Sequence, residues 1–264
     1  MRSAGFTLIE LLVVIAIISL LTAIFVPCLQ NSRQQAKALQ CQSNIRQLLL
    51  GLATYEIENG TFPSGVDYTR LDPPPGGFPG DLEYDGPGWW WFNYIANYSK
   101  IKSGRSCPLW CPARHLKNTR LDKDVLCGNY GVNRSICRSP DDTISHAEFI
   151  GSPLSTVDIS HPGQTLLMVD SGYSVITWWH ATDVPPEPLG KPIADAAYVP
   201  GLWINKQKYI WPGQEYDALD GRHPNKTVNV GFADGHVNRT KADDLFVEKV
   251  GDAYENIRPL WLPK

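Results

Sequence analysis

A long uncharged stretch lies near the amino terminus of the chain and limits the folds that are open to it. Residues 11 to 29 are apolar or small and polar, and none of them carries a charge. A helix rises about 1.5 Å per residue, so the stretch would be about 28 Å long, which matches the roughly 30 Å core of a bilayer. Arg2 is the only charged side chain ahead of Phe6, which favours a cytoplasmic amino end. The pattern predicts one membrane-spanning helix.

Glu10 does not fit a simple membrane anchor, because it lies inside the apolar segment. An ionised carboxylate at that depth costs about 2.5 kcal/mol or more unless it is paired. Either the side chain reaches back to the membrane surface, or it has a positively charged partner.

The residues around Glu10 resemble a known processing signal. After a short basic leader the sequence reads Gly5-Phe6-Thr7-Leu8-Ile9-Glu10-Leu11-Leu12. This segment resembles the cleavage site of type IV prepilins and of the pseudopilins of type II secretion. The resemblance implies that a prepilin peptidase cuts after Gly5 and that Phe6 becomes an N-methylated terminus. It also implies that, in a filament, Glu10 neutralises the amine of Phe6 on a neighbouring subunit.

Two other export signals fit the segment less well. A conventional signal peptide needs small residues before its cleavage site, and residues 23–28 offer none in a suitable place. A lipoprotein signal would use Cys28, but Pro27 stands where a small residue is expected.

The helix is predicted to continue beyond the membrane. Residues recur at spacings of three and four on one face: Ala38, Cys41, Ile45, Leu48, Leu52 and Tyr55. Asn59-Gly60 is a typical helix stop. We therefore predict a leader at 1–5, a transmembrane and assembly helix at 6–29, its amphipathic continuation at 30–59 and an exported globular domain at 60–264.

The composition of the domain indicates loops and large aromatic anchors. The chain has 21 Pro, 22 Gly and 9 Trp, and its net charge of −3 gives no sign of nucleic-acid binding. The aromatic run 89–92 predicts a core plug beneath the loops, although it would also suit a surface that binds sugars.

The strands are predicted late in the chain, as two hairpins. One joins 165–170 to 173–179, and the other joins 226–232 to 236–239 through the Asp234-Gly235 turn. With the resemblance, this predicts an α+β pilin-like fold, in which a long amino-terminal transmembrane helix packs on a small antiparallel sheet with loop-rich, disulfide-bearing insertions.

Four of the six cysteines cluster in one short segment: Cys107, Cys111, Cys127 and Cys137. Four cysteines allow three disulfide pairings. Export favours disulfides over a zinc site. Paired cysteines in zinc knuckles also usually have two residues between them, whereas three residues separate Cys107 from Cys111. Cys28 and Cys41 lie on the long helix and are expected to be free.

Several internal landmarks carry a second resemblance. They are the segment 129–133, the strand that ends at Val169-Asp170, and the set His223, Asp234, Gly235 and His236. They resemble a bacterial family of prepilin-processed proteins that is named for a His-x9-Asp-Gly motif and is similar to the major pseudopilin of type II secretion. Here ten residues rather than nine separate His223 from Asp234.

Those landmarks raise the question of a catalytic or metal site. Asp170, His223, Asp234 and His236 would suit a metal or acid–base chemistry if they converged at the strand ends. The simpler interpretation is that Asp234-Gly235 forms a tight turn. No hydrolase, metalloprotease or phosphate-loop motif occurs in the sequence. We predict that the chain is not an enzyme.

We expect no cofactor other than calcium. The resemblance to major pseudopilins implies a calcium-bound loop, and oxygen donors are available around Asp217 and Asp220, but no spacing singles out a ligand set.

The function predicted from the sequence is a structural subunit of a type IV pilus-like or type II secretion pseudopilus-like filament. Its expected partners are a prepilin peptidase, like or related pilin subunits and the inner membrane, with the amino end cytoplasmic and the domain periplasmic or extracellular. The alternative is a membrane-tethered binding module whose aromatic loops hold a glycan or an exported protein and which does not polymerise.

Overall fold

The structure is a computed structural model that describes residues 7–70, 72, 88–99, 101, 107–140, 147–183, 197–208, 210–251, 253–256 and 260–263. Gly5 and Phe6, the predicted processing site, lie outside the described residues. The α-helices are α1 (Leu8–Asn59), α2 (Trp91–Tyr94), α3 (Thr119–Lys123) and α4 (Glu215–Asp220). The strands are β1 (Val66–Asp67), β2 (Trp89–Trp90), β3 (Tyr130–Asn133), β4 (Leu166–Asp170), β5 (Val175–Ile176), β6 (Thr227–Phe232), β7 (Val237–Lys241), β8 (Lys249–Val250) and β9 (Ala253–Tyr254). Short 3₁₀ helices lie at Ala147–Phe149, Thr156–Asp158, Trp178–Ala181, Trp203–Gln207, Pro224–Lys226 and Ala242–Leu245.

Helix α1 is a single element of 52 residues that continues through Pro27. It ends where the sequence predicts, because Gly60 adopts the left-handed conformation with φ 82° and donates its N–H to Glu56 O at 2.7 Å. Glycine has no Cβ and enters this region of backbone space without strain, which is why it ends so many helices.

The main sheet has five strands in the order β5-β3-β4-β6-β7. The pairs β3–β4, β4–β6 and β6–β7 are antiparallel, while β3–β5 is parallel. The pair β1–β2 and the pair β8–β9 form two small antiparallel ladders beside it. This is the predicted α+β fold with a long helix on a small sheet.

One predicted hairpin is wrong. The strand that follows Ser171-Gly172 does not return along β4, and Val175 instead lies opposite Val132 on β3. A strand has only two hydrogen-bonding edges, and both edges of β4 are occupied, by β3 and by β6. The chain therefore crosses to the free edge of β3.

The other predicted hairpin is confirmed. Strands β6 and β7 pair from Thr227 opposite Lys241 to Gly231 opposite Val237. Val228 and Val230 point into one apolar cluster with Leu166 and Trp261, so the alternate residues Asn229 and Gly231 face the opposite side, toward α1.

The second half of α1 packs across β4, β6 and β7. Gly231 permits the close approach, because a Cβ on it would lie 2.7 Å from Leu49 Cδ1 and 2.9 Å from Ile45 Cγ2. The helix thus covers one face of the sheet and the loops with the second apolar cluster cover the other, so both faces of β6 are buried.

The aromatic run at 89–92 is buried in the core, as predicted. Trp89, Trp90, Trp91 and Phe92 are all inaccessible or nearly so. Trp91 Nε1 donates to Ser174 O at 2.9 Å, which satisfies its polar atom inside the core. The run is therefore not a surface that could hold a sugar.

Candidate functional site

The first part of the site is the amino-terminal turn of α1. Thr7 precedes the helix, and its N–H and hydroxyl both donate to Glu10 Oε2, at 2.9 and 2.7 Å. The Glu10 N–H donates in return to Thr7 Oγ1 at 3.3 Å. This reciprocal arrangement is a capping box, which satisfies helix N–H groups that have no partner within the helix. Glu10 is thus held at the start of the helix, on an exposed surface.

The second part is the apolar surface that follows Glu10. Between residues 8 and 29 the large apolar side chains are exposed: Leu8, Ile9, Leu11, Leu12, Val13, Val14, Ile15, Ile17, Ile18, Leu20, Leu21, Ile24, Phe25, Val26 and Leu29. Consecutive apolar residues point to every side of a helix, so this segment is apolar all round. Within the described residues, α1 has the length and composition to cross a membrane.

The second half of α1 contrasts with the first. From Ala38 onward one face of the helix is buried against the domain, by Ala38, Cys41, Asn44, Ile45, Leu48, Leu49, Gly51 and Leu52. The domain therefore packs against the carboxyl-terminal part of α1 and leaves the amino-terminal part uncovered.

A buried polar centre lies between α1 and the sheet. His223 Nε2 lies 3.0 Å from Asp170 Oδ2, and both side chains are fully inaccessible. Asn229 donates to the same oxygen through its backbone N–H at 2.6 Å and through Nδ2 at 3.1 Å. Asn229 Nδ2 also lies 3.4 Å from Ala38 O on α1, so the centre contacts the helix itself.

Arg222 extends this centre. Its Nε and Nη2 donate to Asp217 Oδ1 and Oδ2, at 3.0 and 2.6 Å, and both side chains are fully buried. Arg222 also donates to Asn129 O and to Ser171 O, so it joins α4 to the loops before β3 and after β4. A buried charge needs such a set of partners, because desolvation of an unpaired ion is very costly.

The charges of the centre follow from these contacts. Burial acts to raise the pKa of Asp170, but the positive charge and hydrogen bond of His223, together with nearby Arg222, outweigh it and leave the pKa below its ordinary value. Burial acts to lower the pKa of Arg222, and the carboxylates of Asp217 and Asp170 raise it further than burial lowers it. Burial raises the pKa of Tyr130 well above its ordinary range. Asp170 is therefore ionised and Tyr130 neutral near pH 7.

The predicted motif residues divide into two separate pairs. His223 lies with Asp170 in the buried centre, whereas Asp234 and His236 lie in the exposed turn between β6 and β7. Asp234 Oδ1 is 2.6 Å from His236 Nδ1, and Gly235 has a φ of 92°, as this tight turn requires. The four side chains do not converge on one site.

The structure corrects the prediction for the cysteines. Cys41, expected to be free, forms a disulfide with Cys111 that links α1 to the domain. Cys107 and Cys137 are buried thiols rather than disulfide partners, and the Cys127 thiol lies 3.8 Å from Asp124 Oδ2. Cys28 is an exposed thiol on the apolar half of α1.

The reason for this error lies in the helical stripe. Cys41 belongs to the apolar stripe that faces the sheet, so it lies against the domain rather than far from it. The spacing of residues along α1 already contained that signal, although the position of Cys111 beside it depends on the tertiary fold.

The carboxylate oxygens of Asp217, one of the donors considered for calcium, already have partners within the protein. Asp217 uses its two carboxylate oxygens on Arg222 and Tyr198, the latter donating its hydroxyl to Oδ2 at 2.8 Å. Calcium takes six to eight oxygen ligands, and carboxylates already paired with a guanidinium are not available to it. Asp220 lies exposed at the end of α4.

Sequence reasoning missed Arg222, Asp217 and Asn229 as parts of the buried centre. The signal for Asn229 was its place between Val228 and Val230, since a polar residue inside an apolar strand needs an internal partner when both faces are covered. No local pattern indicated that Arg222 and Asp217 are buried together.

Comparison with known proteins adds the following findings. Residues 1–26 match the family described as the prokaryotic N-terminal methylation motif. The chain is similar to the type II secretion system core protein G of Pseudomonas aeruginosa, with 35% identity over 24% of this chain and 44% of that protein. It is similar to the competence protein ComGC of Halalkalibacterium halodurans, with 31% identity over 27% of this chain and 70% of that protein.

A third relative is the type IV wide pilus major component PilA4 of Thermus thermophilus, with 40% identity over 24% of this chain and 50% of that protein. The chain spans about half the length of the type II secretion system core protein G of Pseudomonas aeruginosa and of that of Pectobacterium carotovorum, at 44% and 56%. No solved structure matches the chain.

Proposed function

The chain belongs to the prepilin-like protein family, and we propose that it is a structural subunit of a type IV pilus-like or type II secretion pseudopilus-like filament. In this proposal a prepilin peptidase cuts the chain after Gly5 and the new terminus, Phe6, is methylated. Before assembly the subunit is anchored in the inner membrane, with its amino end cytoplasmic and its domain periplasmic. It then assembles with like or related subunits.

The observation that carries the proposal is the division of α1 into a covered half and an uncovered half. A predominantly apolar helical surface such as that of residues 11–29 is unstable in water and must be covered by lipid or by other proteins. A helix fixed to a domain at one end and apolar all round at the other can pass from a bilayer into a bundle of identical helices without exposing that surface.

Glu10 supports assembly rather than simple anchoring. A bilayer offers no positive partner at the depth of Glu10, so the carboxylate is costly there unless another chain supplies one. The amine of Phe6 on a neighbouring subunit is such a partner. Pairing of Glu10 with it would set the axial register between neighbouring helices.

Two observations argue against catalysis by the buried centre. His223 and Asp170 are fully inaccessible beneath α1, so no substrate reaches them in this fold. The relatives named above are secretion, competence and pilus proteins.

The alternative of a tethered binding module has lost its main support. That hypothesis depended on the aromatic run 89–92 as a surface that contacts a glycan or an exported protein. Those side chains lie in the core.

Electron microscopy of cells that produce the full chain tests the proposal. We expect filaments, or short pseudopili when the chain is overproduced, and we expect Glu10→Ala to abolish them. Glu248→Ala removes an exposed carboxylate outside the helix and serves as the control that retains filaments. Membranes that contain a processed, correctly folded chain but no assemblies under any level of production would exclude the filament function.

A further inference from the structure

We propose that four buried side chains form a zinc site when the disulfide is reduced: Cys41, Cys111, Asp170 and His223. In this proposal the disulfide and the zinc-bound dithiol are two states of one site, which we call the tetrad. The proposal concerns the packed domain and does not depend on filament assembly.

The tetrad brings together four distant parts of the chain. Cys41 lies on α1, Cys111 precedes α3, Asp170 ends β4 and His223 precedes β6. One potential donor atom from each side chain lies within 4.8 Å of the others, and all four residues are buried. No other such group of three or more His, Cys, Asp or Glu side chains occurs among the described residues.

The donor set matches the chemistry of zinc. Zn²⁺ in proteins takes four ligands in a tetrahedron, with bonds of about 2.3 Å to thiolate sulfur and about 2.0–2.2 Å to imidazole nitrogen or carboxylate oxygen. Those bond lengths place neighbouring donor atoms about 3.3–3.8 Å apart, so side chains already within 4.8 Å need to move by only a small amount. Soft thiolates with an imidazole favour zinc over magnesium or calcium.

Two atoms of the tetrad have no hydrogen-bond partner among the described residues. Asp170 Oδ1 and His223 Nδ1 are both buried and unsatisfied, which is costly inside a protein. Unpartnered buried polar atoms of this kind can mark the position of a bound ion.

The loop that carries Cys111 is fixed without help from the disulfide. The Cys111 N–H donates to Asn129 Oδ1 at 3.0 Å, and the neighbouring Trp110 O accepts from Asn44 Nδ2 at 3.0 Å. Asn44 lies on α1, one helical turn from Cys41. The two sulfurs would therefore remain close together after reduction.

Conversion of the disulfide to the zinc-bound dithiol takes two steps, reduction and metal binding. A phosphine reductant with water breaks the sulfur–sulfur bond, and the two sulfurs take up two electrons and two protons to give thiols, while the phosphine becomes a phosphine oxide. Zinc binding then releases the two thiol protons to solvent, because zinc binds thiolates. In the opposite direction, a small disulfide such as oxidised glutathione takes the two electrons and two protons from solvent and becomes two thiols, while the Cys41–Cys111 bond re-forms and the metal is released.

The test uses the full chain in detergent micelles, with Co²⁺ as a coloured substitute for zinc. We expect the phosphine-reduced chain to bind one Co²⁺ with a thiolate-to-cobalt charge-transfer band and the visible bands of a tetrahedral ion. X-ray absorption of the zinc form should show two sulfur and two nitrogen or oxygen neighbours. The oxidised chain should show neither signal.

Substitutions locate the site. Asp170→Asn and His223→Gln should each weaken Co²⁺ binding by more than about tenfold, since even outer contacts of metal ligands are worth 10–100-fold. Cys137→Ser and Cys107→Ser remove buried thiols outside the tetrad and should leave the bands unchanged.

Three results would overturn the proposal: no thiolate band in the reduced wild-type chain, a metal shell without two sulfurs, or loss of the band in Cys107→Ser or Cys137→Ser. The comparison of oxidised and reduced wild-type chain needs no substitution, so it stands even if a variant fails to fold. Failure of this test leaves the filament proposal intact, and absence of filaments leaves the zinc proposal intact.

Discussion

The two halves of α1 have similar apolar side chains but different surroundings. Leu12 in the first half is 56% exposed, whereas Leu48 in the second half is completely buried against the sheet. The second half of α1 stabilises the domain, and the first half presents its apolar surface to the surroundings. Substitutions in the two halves should therefore have separable effects, on folding in one case and on association in the other.

The largest expected loss of unfolding free energy follows from breaking the buried pair of Arg222 and Asp217. Arg222→Met leaves the buried carboxyl group of Asp217 with no counter-charge, and loss of one partner of a buried pair costs about 3–5 kcal/mol. Chemical denaturation of the full chain in detergent, followed by tryptophan fluorescence, measures this loss. All nine tryptophans lie at or after residue 89, so the signal reports the domain and not the exposed half of α1.

Arg46→Met is the control for that substitution. Arg46 is exposed on the outer face of α1, so its replacement should change the free energy of unfolding by less than about 0.5 kcal/mol. Equal effects of the two substitutions would mean that the Arg222–Asp217 pair does not stabilise the domain.

A leucine in each half tests the comparison directly. Leu48→Ala leaves a cavity between α1 and the sheet and should lower the free energy of unfolding by about 2–5 kcal/mol. Leu12→Ala in the uncovered half and Leu50→Ala, which is 70% exposed on the same half as Leu48, should leave it nearly unchanged. If Leu12→Ala destabilised the domain as much as Leu48→Ala, the division of α1 into two halves would be wrong.

Glu10→Gln tests the amino-terminal half of α1 through association between chains rather than through unfolding. The substitution keeps the size and the hydrogen bonding of the side chain but removes its charge, so the attraction to a neighbouring Phe6 amine is lost. A term on the order of 2.5 kcal/mol corresponds to about a 70-fold change in the equilibrium constant. Crosslinking between subunits in membranes should fall accordingly, while membrane insertion and denaturation of the domain stay as in the wild type.

The matched control for Glu10→Gln is Glu58→Gln, at the other end of the same helix. It removes a carboxylate from the exposed carboxyl-terminal turn and should not reduce crosslinking through the apolar half. Normal crosslinking of the Glu10→Gln chain would show that Glu10 only faces the membrane surface.

The smallest expected effect is a change in how stability depends on pH in acid. The pKa of folded Asp170 is below the ordinary value of 3.8, so its stabilisation is complete above that pH and is lost as the pH falls through the lower folded value. Asp170→Asn should therefore reduce the slope of unfolding free energy against pH below about pH 4. Asp243→Asn, an exposed carboxylate, is the control. Parallel slopes in wild type and Asp170→Asn would contradict an ionised Asp170.

Local patterns in the sequence predicted the long helix, its end at Gly60, its buried stripe and the β6–β7 hairpin. Each depends on residues close together in the chain: the period of apolar residues, a glycine after the last turn, and Asp234-Gly235 between alternating strands. The capping of α1 by Thr7 is local in the same way. For these features the chain needs no distant partner to fix its conformation.

The tertiary structure alone decided which distant residues meet. Cys41 and Cys111 are 70 residues apart in sequence, and Asp170 and His223 are separated by 53, so no local period relates them. The edge taken by β5 depended on β6 already occupying β4, and the burial of Arg222 depended on loops that surround it. Local sequence patterns thus specify the long helix α1. The disulfide and the buried polar centre beneath α1 depend instead on the packing of both sheet faces, because a buried charge needs a partner that only the fold brings to it.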